Sequence, residues 1–269
     1  MSLQPLDLIM ISAVVLTKNE EKNIAKCLAT LRFCNEVIVV DEYSTDKTVE
    51  IARRYGARVF QRHLKEDFAA QRNFGLNKAK GPARNASHSD AGGDWVLFVD
   101  SDERVTEALA SEIKNETVKS KNEVEGFYIK RRDFVWGREL KHGEPGSVKL
   151  LRLAKKNAGL WKRAVHEVWD VQGKTQTLEN PLTHFPHQTL REFMQDVDRY
   201  SNLHAKALQE EGVKSNLAKI IIWPVGKFKY NLIFKLGILD GTQGFVVAAM
   251  MSLHSFLAWS KLWLLQNKK

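Results

Sequence analysis

The sequence predicts an α/β fold in which a mixed, mostly parallel β-sheet is flanked by helices. Two observations lead to this prediction: short apolar, β-branched runs alternate with helical patterns over the first hundred residues, and polar or acidic side chains follow the ends of those runs. Such alternation indicates a parallel sheet, because parallel neighbours need a crossover connection and a helix supplies it. Right-handed crossovers bring the carboxyl ends of the strands to one edge, where ligands bind in such folds.

Four strands and three helices are predicted in the first hundred residues. The strands are continuous apolar runs, whereas the helices carry apolar residues at helical spacing between recognisable first and last residues. The predicted strands cover 11–17, 36–41, 57–61 and 94–100, and the predicted helices cover 19–34, 44–56 and 67–81. Residues 82–93, PARNASHSDAGG, are small and polar and are therefore predicted to form a surface loop.

The alternation is looser after Val105, where three more strands and one long helix are predicted. The strands cover 125–137, 146–154 and 163–171, and the amphipathic helix covers 189–212. We therefore predict a sheet-containing domain over residues 1–188 and a helical extension over residues 189–269.

The composition is that of a basic globular protein. Of the 269 residues, 43% are hydrophobic, which is ordinary for a chain with a substantial core, and the formal net charge is +9. Residues 206–269 contain nine lysines and no arginine against three acidic residues, so most of the net charge lies there. This distribution predicts an anionic partner for the C-terminal quarter: nucleic acid, a membrane surface or a phosphorylated substrate.

The two cysteines, Cys27 and Cys34, have no metal-binding spacing and both fall in a predicted helix. We therefore expect two reduced thiols in a cytoplasmic protein. The N-terminal segment contains Asp7 and lacks a basic flank, so a signal peptide is not expected.

Apolar residues interrupted by lysines dominate the sequence from Asn216 onward. The run 244–265 approaches the roughly 20 apolar residues needed to cross a bilayer, but His254 and Lys261 interrupt it. We predict helices that lie in the membrane interface, with their lysines facing anionic lipid. A transmembrane helix, and a helical pair packed on the domain or on another subunit, are the alternatives. Nucleic-acid binding is not expected, because no basic aromatic motif of the known kinds is present.

An acidic cluster follows the fourth predicted strand. In LFVDSDERV, residues 97–105, Asp100, Asp102 and Glu103 come directly after an apolar run. Like charges this close repel one another unless a cation or a proton lies between them. Three interpretations are open: carboxylates favoured by the dipole of a following helix, a phosphatase whose nucleophile is Asp100, or a divalent cation that joins a carboxylate to a sugar-bound diphosphate.

Four segments carry a resemblance to a known family: SAVVLTKNEEKNIAKCL, VIVVDEYSTDKTVEIA, QRNFGL and WVLFVDSDE. Together they resemble the nucleotide-sugar domain of the family 2 glycosyltransferases, which are inverting enzymes with a GT-A fold, and KLLRL and VHEVW continue the similarity weakly. The closest resemblance is to the lipopolysaccharide inner-core β-1,4-glucosyltransferase group, whose members carry C-terminal stretches similar to LDGTQGF and HSFLAWSK. The resemblance implies a Rossmann-like nucleotide-binding sheet and makes residues 1–188 the catalytic domain.

The resemblance also implies roles for individual residues. Asp41 would accept a hydrogen bond from a uracil ring, Arg72 would lie near the diphosphate, and Asp100 would contact the ribose. Asp102 would bind the divalent cation, Mg²⁺ or Mn²⁺. The implied nucleotide-sugar-binding residues are Thr17, Asn19, Glu20, Asp41, Arg72 and Asp100. The loop at 82–93 departs from the family pattern beside this edge of the sheet.

Glu167 is the candidate catalytic base. An inverting single displacement needs one carboxylate to accept the proton of the attacking hydroxyl. Glu167 is an acid beside His166 in the otherwise apolar segment AVHEVW, after the nucleotide half of the fold. An exposed strand glutamate is the alternative interpretation, and Asp133 is a weaker candidate for the base. Trp161 has two interpretations, stacking on a sugar ring or packing in the core.

The sequence therefore predicts a metal-dependent inverting glycosyltransferase that moves a sugar, expected to be glucose, from a UDP-sugar to a lipid-linked or lipopolysaccharide-core acceptor. We expect it in the cytoplasm, peripheral on the inner face of the cell membrane, because a lipid-anchored acceptor is best reached from that surface. Homo-oligomerisation is the alternative role of the C-terminal helices. The alternatives are transfer to a polyprenyl phosphate or another glycan, a phosphohydrolase using Asp100, and a catalytically silent nucleotide-sugar-binding protein.

Overall fold

The computed structural model describes residues 9–80, 95–120, 123–164 and 167–267. The chain divides into two compact units: Met1–Lys130 with Lys149–Thr183, and Arg131–Val148 with His184–Lys269. The predicted loop at 82–93 and His166 lie outside the described residues. The predicted functional division between 1–188 and 189–269 stays a prediction.

Twelve strands and seven α-helices are formed by the described residues. The strands are β1 (Ile11–Thr17), β2 (Glu36–Asp41), β3 (Arg58–Gln61), β4 (Trp95–Asp100), β5 (Glu103–Val105), β6 (Gly126–Val135), β7 (Arg138–Leu140), β8 (Lys149–Lys155), β9 (Gly159–Lys162), β10 (Val168–Val171), β11 (Thr175–Thr177) and β12 (Leu182–His184). The α-helices are α1 (Ile24–Ala29), α2 (Thr48–Arg54), α3 (Phe68–Lys78), α4 (Glu107–Lys119), α5 (Leu190–Glu210), α6 (Leu217–Lys229) and α7 (Gly241–Gln266).

A mixed sheet organises the first unit. The strands β3, β2, β1 and β4 lie side by side in that order and run parallel, so their carboxyl ends form one edge. β8 pairs antiparallel with β4, and β6 pairs antiparallel with β8. The predicted α/β fold, with a mixed and mostly parallel sheet flanked by helices, is confirmed.

Two apolar layers enclose the parallel strands, because successive side chains of a strand point to opposite faces of the sheet. Val15 and Val39 belong to the layer that contains α1, whereas Val14 and Ile38 belong to the layer that contains α3. α3 approaches β1 so closely that a Cβ atom at Gly75 would lie 2.4 Å from the Val14 side chain. Glycine at this position therefore allows α3 to pack directly on the sheet.

The predicted strands 11–17 and 36–41 coincide with β1 and β2, but the predicted helices are too long. α1 begins at Ile24 and not at residue 19, because the chain before it forms a loop after β1. α4 has no counterpart among the predicted elements, although Thr106 caps it by accepting a hydrogen bond from the amide of Leu109 at 3.1 Å.

Three long helices and a β-hairpin form the second unit. α5 and α6 both pack on α7. α5 corresponds to the predicted helix 189–212 and begins with a capping box in which Thr189 and Glu192 each accept from the backbone amide of the other. The buried apolar side chains of this unit's core are Val135, Leu140, Phe193, Val197, Val247 and Met250.

Many large apolar side chains of the second unit are exposed. They include Leu217, Ile221, Ile222, Trp223, Val225, Ile233, Phe234, Leu236, Ile238 and Leu239. Within the described residues, Gly237–Gln266 is the one helical segment long and apolar enough to cross a membrane. In its apolar stretch of 18 residues, 28% is buried. Core helices of soluble proteins share this length and composition.

Candidate active site

The carboxyl ends of β1, β2 and β4 bring three predicted site residues to one edge of the sheet. In the strand register Thr17 lies beside Asp41, and Leu16 lies beside Asp100. Thr17 and Asp41 are buried, whereas the side chain of Asp100 is 30% exposed. The buried hydroxyl of Thr17 has no hydrogen-bond partner among the described residues, which is a feature of groups that a ligand or water satisfies.

Hydrogen bonds join the loops that follow β1 and β2. The amide of Asn19 donates to Ser44 Oγ at 2.8 Å, and the amide of Thr45 donates to Asn19 Oδ1 at 2.8 Å. The amide of Glu20 donates to Thr48 Oγ1 at 2.7 Å. Asn19 has a φ of 53°, in the left-handed region that asparagine tolerates. These side-chain bonds to the backbone compete with helix formation and explain why both helices begin late.

Asp41 is fully buried beneath these loops. Its carboxylate accepts hydrogen bonds from the hydroxyl of Ser44, from the amide of Ser44 at 2.9 Å and from Gln61 Nε2 at 3.1 Å. Asp41 therefore anchors the loop after β2. A uracil ring would have to replace one of these donors, and the predicted contact between Asp41 and uracil stays a prediction.

Two buried arginines hold the carboxylate of Asp100. Arg72 Nη2 donates to Asp100 Oδ1 at 3.0 Å, and Arg152 Nη2 donates to Asp100 Oδ2 at 2.6 Å. Burial alone would raise the pKa of Asp100, but the charges and hydrogen bonds of Arg152 and Arg72 outweigh burial and hold that pKa far below its ordinary range. Asp100 is therefore an ionised and oriented acceptor at the open end of β4.

Arg152 and Glu103 complete this arrangement, although no role is predicted for either residue from the sequence. Glu103 is fully buried; its Oε2 accepts from the amide of Asp100 at 2.8 Å, and its Oε1 lies 3.4 Å from Arg152 Nη2. Arg152 carries a visible signal, since it interrupts the apolar run KLLRLA of β8. A charged side chain is almost never fully buried unless it is paired, so this interruption predicts an acidic partner. It does not predict which carboxylate that partner is.

Glu167 lies directly before β10 and not inside a strand, so the predicted strand at 163–171 is wrong at its start. Glu167 Oε1 accepts from Arg72 Nε at 2.9 Å, and the Glu167 side chain is 18% exposed. This contact exists because α3 is fastened to β9: Asn73 Nδ2 donates to the carbonyl of Trp161 at 2.9 Å, and the amide of Trp161 donates to Asn73 Oδ1 at 2.9 Å. The candidate base and the candidate diphosphate-binding arginine are therefore in direct contact.

Asp102 lies in the turn between β4 and β5 and is half-buried. The described residues contain no group of three or more His, Cys, Asp or Glu side chains that could hold a metal ion. A single carboxylate fits a hard cation that takes its other oxygen ligands from a diphosphate and from water, as Mg²⁺ does in nucleotide sites. The donor set of the strand edge therefore suits Mg²⁺ or Mn²⁺ bound together with a nucleotide.

Two further candidates from the sequence have structural partners. Asp133, in the second unit, is 4% exposed; its Oδ1 accepts from Arg131 Nε at 2.8 Å and lies 3.0 Å from His184 Nδ1. Trp161, in the first unit, is 6% exposed and stacks on Trp169 with ring centres 5.3 Å apart. Trp161 is therefore a core residue, and stacking on a sugar is not its role.

Residues 12–157 match the family described as glycosyl transferase family 2. The lipopolysaccharide core biosynthesis glycosyltransferase LpsC of Rhizobium meliloti is 27% identical over 261 residues, which cover 94% of this chain and 92% of LpsC. An uncharacterized glycosyltransferase of Rickettsia typhi is 25% identical over 94% of this chain and 86% of its own length.

Solved structures give more distant likenesses. Staphylococcus aureus TarS has a TM-score of 0.49 and 16% identity, covering 90% of this chain and 55% of TarS. Glucosyl-3-phosphoglycerate synthase from Mycobacterium tuberculosis, solved with Mn²⁺, UDP and glucosyl-3-phosphoglycerate, has a TM-score of 0.46 and 17% identity, covering 78% of this chain and 82% of that one. The family match does not depend on them: it spans more than half of the chain and contains the ends of β1, β2 and β4, so the chain belongs to glycosyl transferase family 2 and is a glycosyltransferase.

Proposed function

We propose that this glycosyltransferase moves a sugar, with inversion, from a UDP-sugar to the core oligosaccharide of a lipopolysaccharide or to a related lipid-linked acceptor. The observation that carries the proposal is the carboxylate of Asp100, held ionised by two arginines at the edge where the parallel strands end. Similarity over 94% of the chain to a lipopolysaccharide core glycosyltransferase supports the acceptor class. Glucose is the sugar we propose, from the resemblance to the β-1,4-glucosyltransferases.

The nucleotide would lie along the loops that follow β1, β2 and β4. Thr17, Asn19 and Glu20 would border the base and the ribose, and a ligand would satisfy the unpaired hydroxyl of Thr17. Asp41 would contact the uracil once a bond from the Ser44 loop gives way. Asp100 would accept a hydrogen bond from the ribose, since a carboxylate that receives two arginine bonds still has unused lone pairs.

Asp102 would hold Mg²⁺ or Mn²⁺ together with oxygens of the diphosphate. When bound, the metal stabilises the negative charge that develops on the departing diphosphate. Arg72 would add a fixed positive charge near the same group. Glu167 would accept the proton of the acceptor hydroxyl as that hydroxyl attacks the anomeric carbon from the face opposite the diphosphate.

The geometry of Asp100 argues against the phosphohydrolase alternative. A nucleophilic aspartate needs a reactive carboxylate, but both oxygens of Asp100 accept from arginine donors that stabilise its negative charge and lower its nucleophilicity. A polyprenyl phosphate or another glycan is the alternative acceptor within the same reaction class.

We propose a peripheral position on the cytoplasmic face of the cell membrane. The exposed apolar side chains between Leu217 and Leu239 would enter the interface, and the lysines of the same stretch would contact anionic headgroups. Binding to vesicles of phosphatidylglycerol tests this proposal. We expect Ile222→Ser with Phe234→Ser to lower vesicle binding severalfold without changing the rate on a soluble acceptor. Unchanged vesicle binding would contradict the proposal. If the variant lost a dimer but kept its vesicle binding, these side chains would serve self-association instead.

The enzymatic proposal is tested by incubating the purified chain with a panel of UDP-sugars and de-acylated lipopolysaccharide core, with Mn²⁺, Mg²⁺ or EDTA. We expect transfer from one donor, loss of transfer in EDTA, and at least a ~100-fold loss in Asp102→Ala. Glu36→Gln serves as the control, because it removes a carboxylate paired with Arg58 at the opposite end of β2 from the candidate site, and transfer should be unchanged there. Phosphate release from simple esters without sugar transfer would overturn the proposal.

A further inference from the structure

One edge of the Arg72 guanidinium binds two different carboxylates. Nε donates to Glu167 Oε1 at 2.9 Å, and Nη2 donates to Asp100 Oδ1 at 3.0 Å. These two nitrogens point the same way and form the pair with which arginine binds a single carboxylate or phosphate bidentately. The edge is therefore fully used, and a phosphate can bind it only by replacing one of the two carboxylates.

The two carboxylates are not equally easy to replace. Asp100 lies at the end of β4 and is also held by Arg152 at 2.6 Å. Glu167 lies outside any strand, and among the described residues Arg72 is the only side chain for which a hydrogen bond to it is found. Glu167 therefore has one hydrogen-bonded arginine where Asp100 has two, and its removal would leave Arg72 fixed by Asp100 and by the ring of Trp161, whose centre lies 4.7 Å away.

The same cluster contains buried donors without partners. Arg72 Nη1, Arg152 Nε and Arg152 Nη1 have no hydrogen-bond partner among the described residues, and both arginines are only 4% exposed. Buried unpaired donors are rare in native proteins and call for a missing group such as an anion or water. Three such nitrogens on two neighbouring cations point to an anionic ligand with several oxygens, as a diphosphate has.

We infer that Arg72 holds Glu167 in a resting position and that the diphosphate of the donor displaces it. This inference rests on the proposed function. Diphosphate oxygens take the Arg72 Nε donor, the negative charge of the ligand repels Glu167, and the released carboxylate becomes free to accept the acceptor's proton. Arg72 is thus a positioning residue for the base as well as a ligand for the donor. The base is released from Arg72 only when a donor is bound, so the donor binds before the acceptor reacts.

Titration calorimetry of the full chain with UDP, in the presence of Mn²⁺, tests the displacement of Glu167 from Arg72 without requiring turnover. In Glu167→Gln the competing charge is gone, and we expect UDP to bind about fivefold tighter or more, while sugar transfer falls at least ~100-fold. Glu167→Asp keeps the charge but withdraws the carboxylate from Arg72, so we expect it also to tighten UDP binding. A merely structural Glu167 would leave UDP affinity unchanged or weaken it in both variants.

A double-mutant cycle separates competition for Arg72 from simple charge repulsion between Glu167 and the diphosphate. Arg72→Gln weakens UDP binding, and in that background Glu167→Gln should change the affinity less than twofold, because no shared arginine remains. A gain that persists in the double mutant would show that Glu167 only repels the ligand and would overturn the inference. The matched control is Glu36→Gln, which removes another carboxylate paired with an arginine, Arg58 at 2.7 Å, from the other end of β2. UDP affinity should be unchanged there.

The outcomes also separate this inference from the proposed function. If the wild type binds no UDP, with or without Mn²⁺, the proposed function fails and the inference falls with it. If the wild type binds UDP but both Glu167 variants bind it equally well or more weakly, with unchanged melting temperatures, only the inference fails. The melting temperature of each variant is measured by circular dichroism, and Glu167→Asp keeps the test decisive if Glu167→Gln does not fold.

Discussion

Two aspartates, Asp100 in the first unit and Asp133 in the second, are both held by arginine, yet their surroundings differ. The arginines on Asp100 come from α3 and β8, 28 and 52 residues away, and its side chain is 30% exposed. Asp133 is held bidentately by Arg131, two residues away, at 2.8 and 3.0 Å, and its side chain is 5% exposed. His184 lies 3.0 Å from the same carboxylate.

The difference lies in the donors. Arg72 and Arg152, around Asp100, retain buried nitrogens that have no partner among the described residues, whereas no buried nitrogen of Arg131 is in that position. A buried carboxylate whose arginine leaves no buried donor unpaired serves the fold, while a partly open carboxylate beside unpaired buried donors is suited to a ligand. The comparison predicts that mutations in the two clusters separate into effects on activity and effects on stability.

The largest effect is expected for Asp100→Asn. The substitution keeps the shape of the side chain but removes the charge that pairs with Arg72 and Arg152, so two buried cations lose their shared partner. Each arginine keeps a second carboxylate, Glu167 for Arg72 and Glu103 for Arg152. We therefore expect a loss of about 1.5–3 kcal/mol in the free energy of unfolding, the range of a charge-assisted hydrogen bond, and at least a ~100-fold loss in UDP-dependent transfer. Urea unfolding and a transfer assay below the melting temperature measure the two losses. Transfer within a few-fold of wild type would show that Asp100 is not needed for activity.

Asp133→Asn is expected to change stability alone. The buried carboxylate accepts from Arg131 and contacts His184, and a buried partner left unsatisfied costs about 1–3 kcal/mol. UDP affinity, measured by calorimetry at a temperature where the variant is folded, should equal that of the wild type. A tenfold weaker affinity would mean that Asp133 contributes to donor binding. Asp133 and Asp100 would then not differ in function as predicted.

The pH dependence of stability sharpens the same contrast. Burial alone would raise the pKa of Asp133, but the hydrogen bond and charge of His184 and the charge of Arg131 hold it below its ordinary range. A carboxyl with a lowered pKa in the folded state stabilises the fold above its unfolded-state pKa, and the contribution is lost as pH falls through the folded-state pKa. We expect the difference in unfolding free energy between wild type and Asp133→Asn to be full at about pH 5 and to shrink below about pH 4. Urea titrations at three pH values measure it, and a difference that grew on acidification would contradict the assignment.

The sequence predicts the strand edge well because local pattern and topology determine it. β1, β2 and β4 are continuous apolar runs, and parallel pairing alone places Thr17, Asp41 and Asp100 at the same end. The pair of arginines that holds Asp100 is not predicted in this way. Arg152 arrives on an antiparallel strand, and no periodicity in the sequence indicates that β8 lies next to β4.

The contact between Arg72 and Glu167 is equally beyond the sequence pattern, because it joins residues 95 positions apart. It depends on the hydrogen bonds that fasten Asn73 of α3 to the backbone of Trp161, which is a tertiary feature. The sequence therefore identifies the chemical groups, while their division into satisfied and unsatisfied donors is visible only in the folded chain.

The smallest effect is expected for the exposed pair Glu50–Arg54 on α2, which calibrates the comparison at its lower end. Its side chains are 52% and 73% exposed and lie one helical turn apart. Water and salt screen such a pair, and holding two long side chains together costs conformational entropy, so Glu50→Gln should change the unfolding free energy by no more than about 0.5 kcal/mol. Transfer should be unchanged. If Glu50→Gln lowered the unfolding free energy as much as Asp133→Asn does, burial would not determine how much an ion pair stabilises this chain. The stability effect expected at Asp133 would then lose its physical reason.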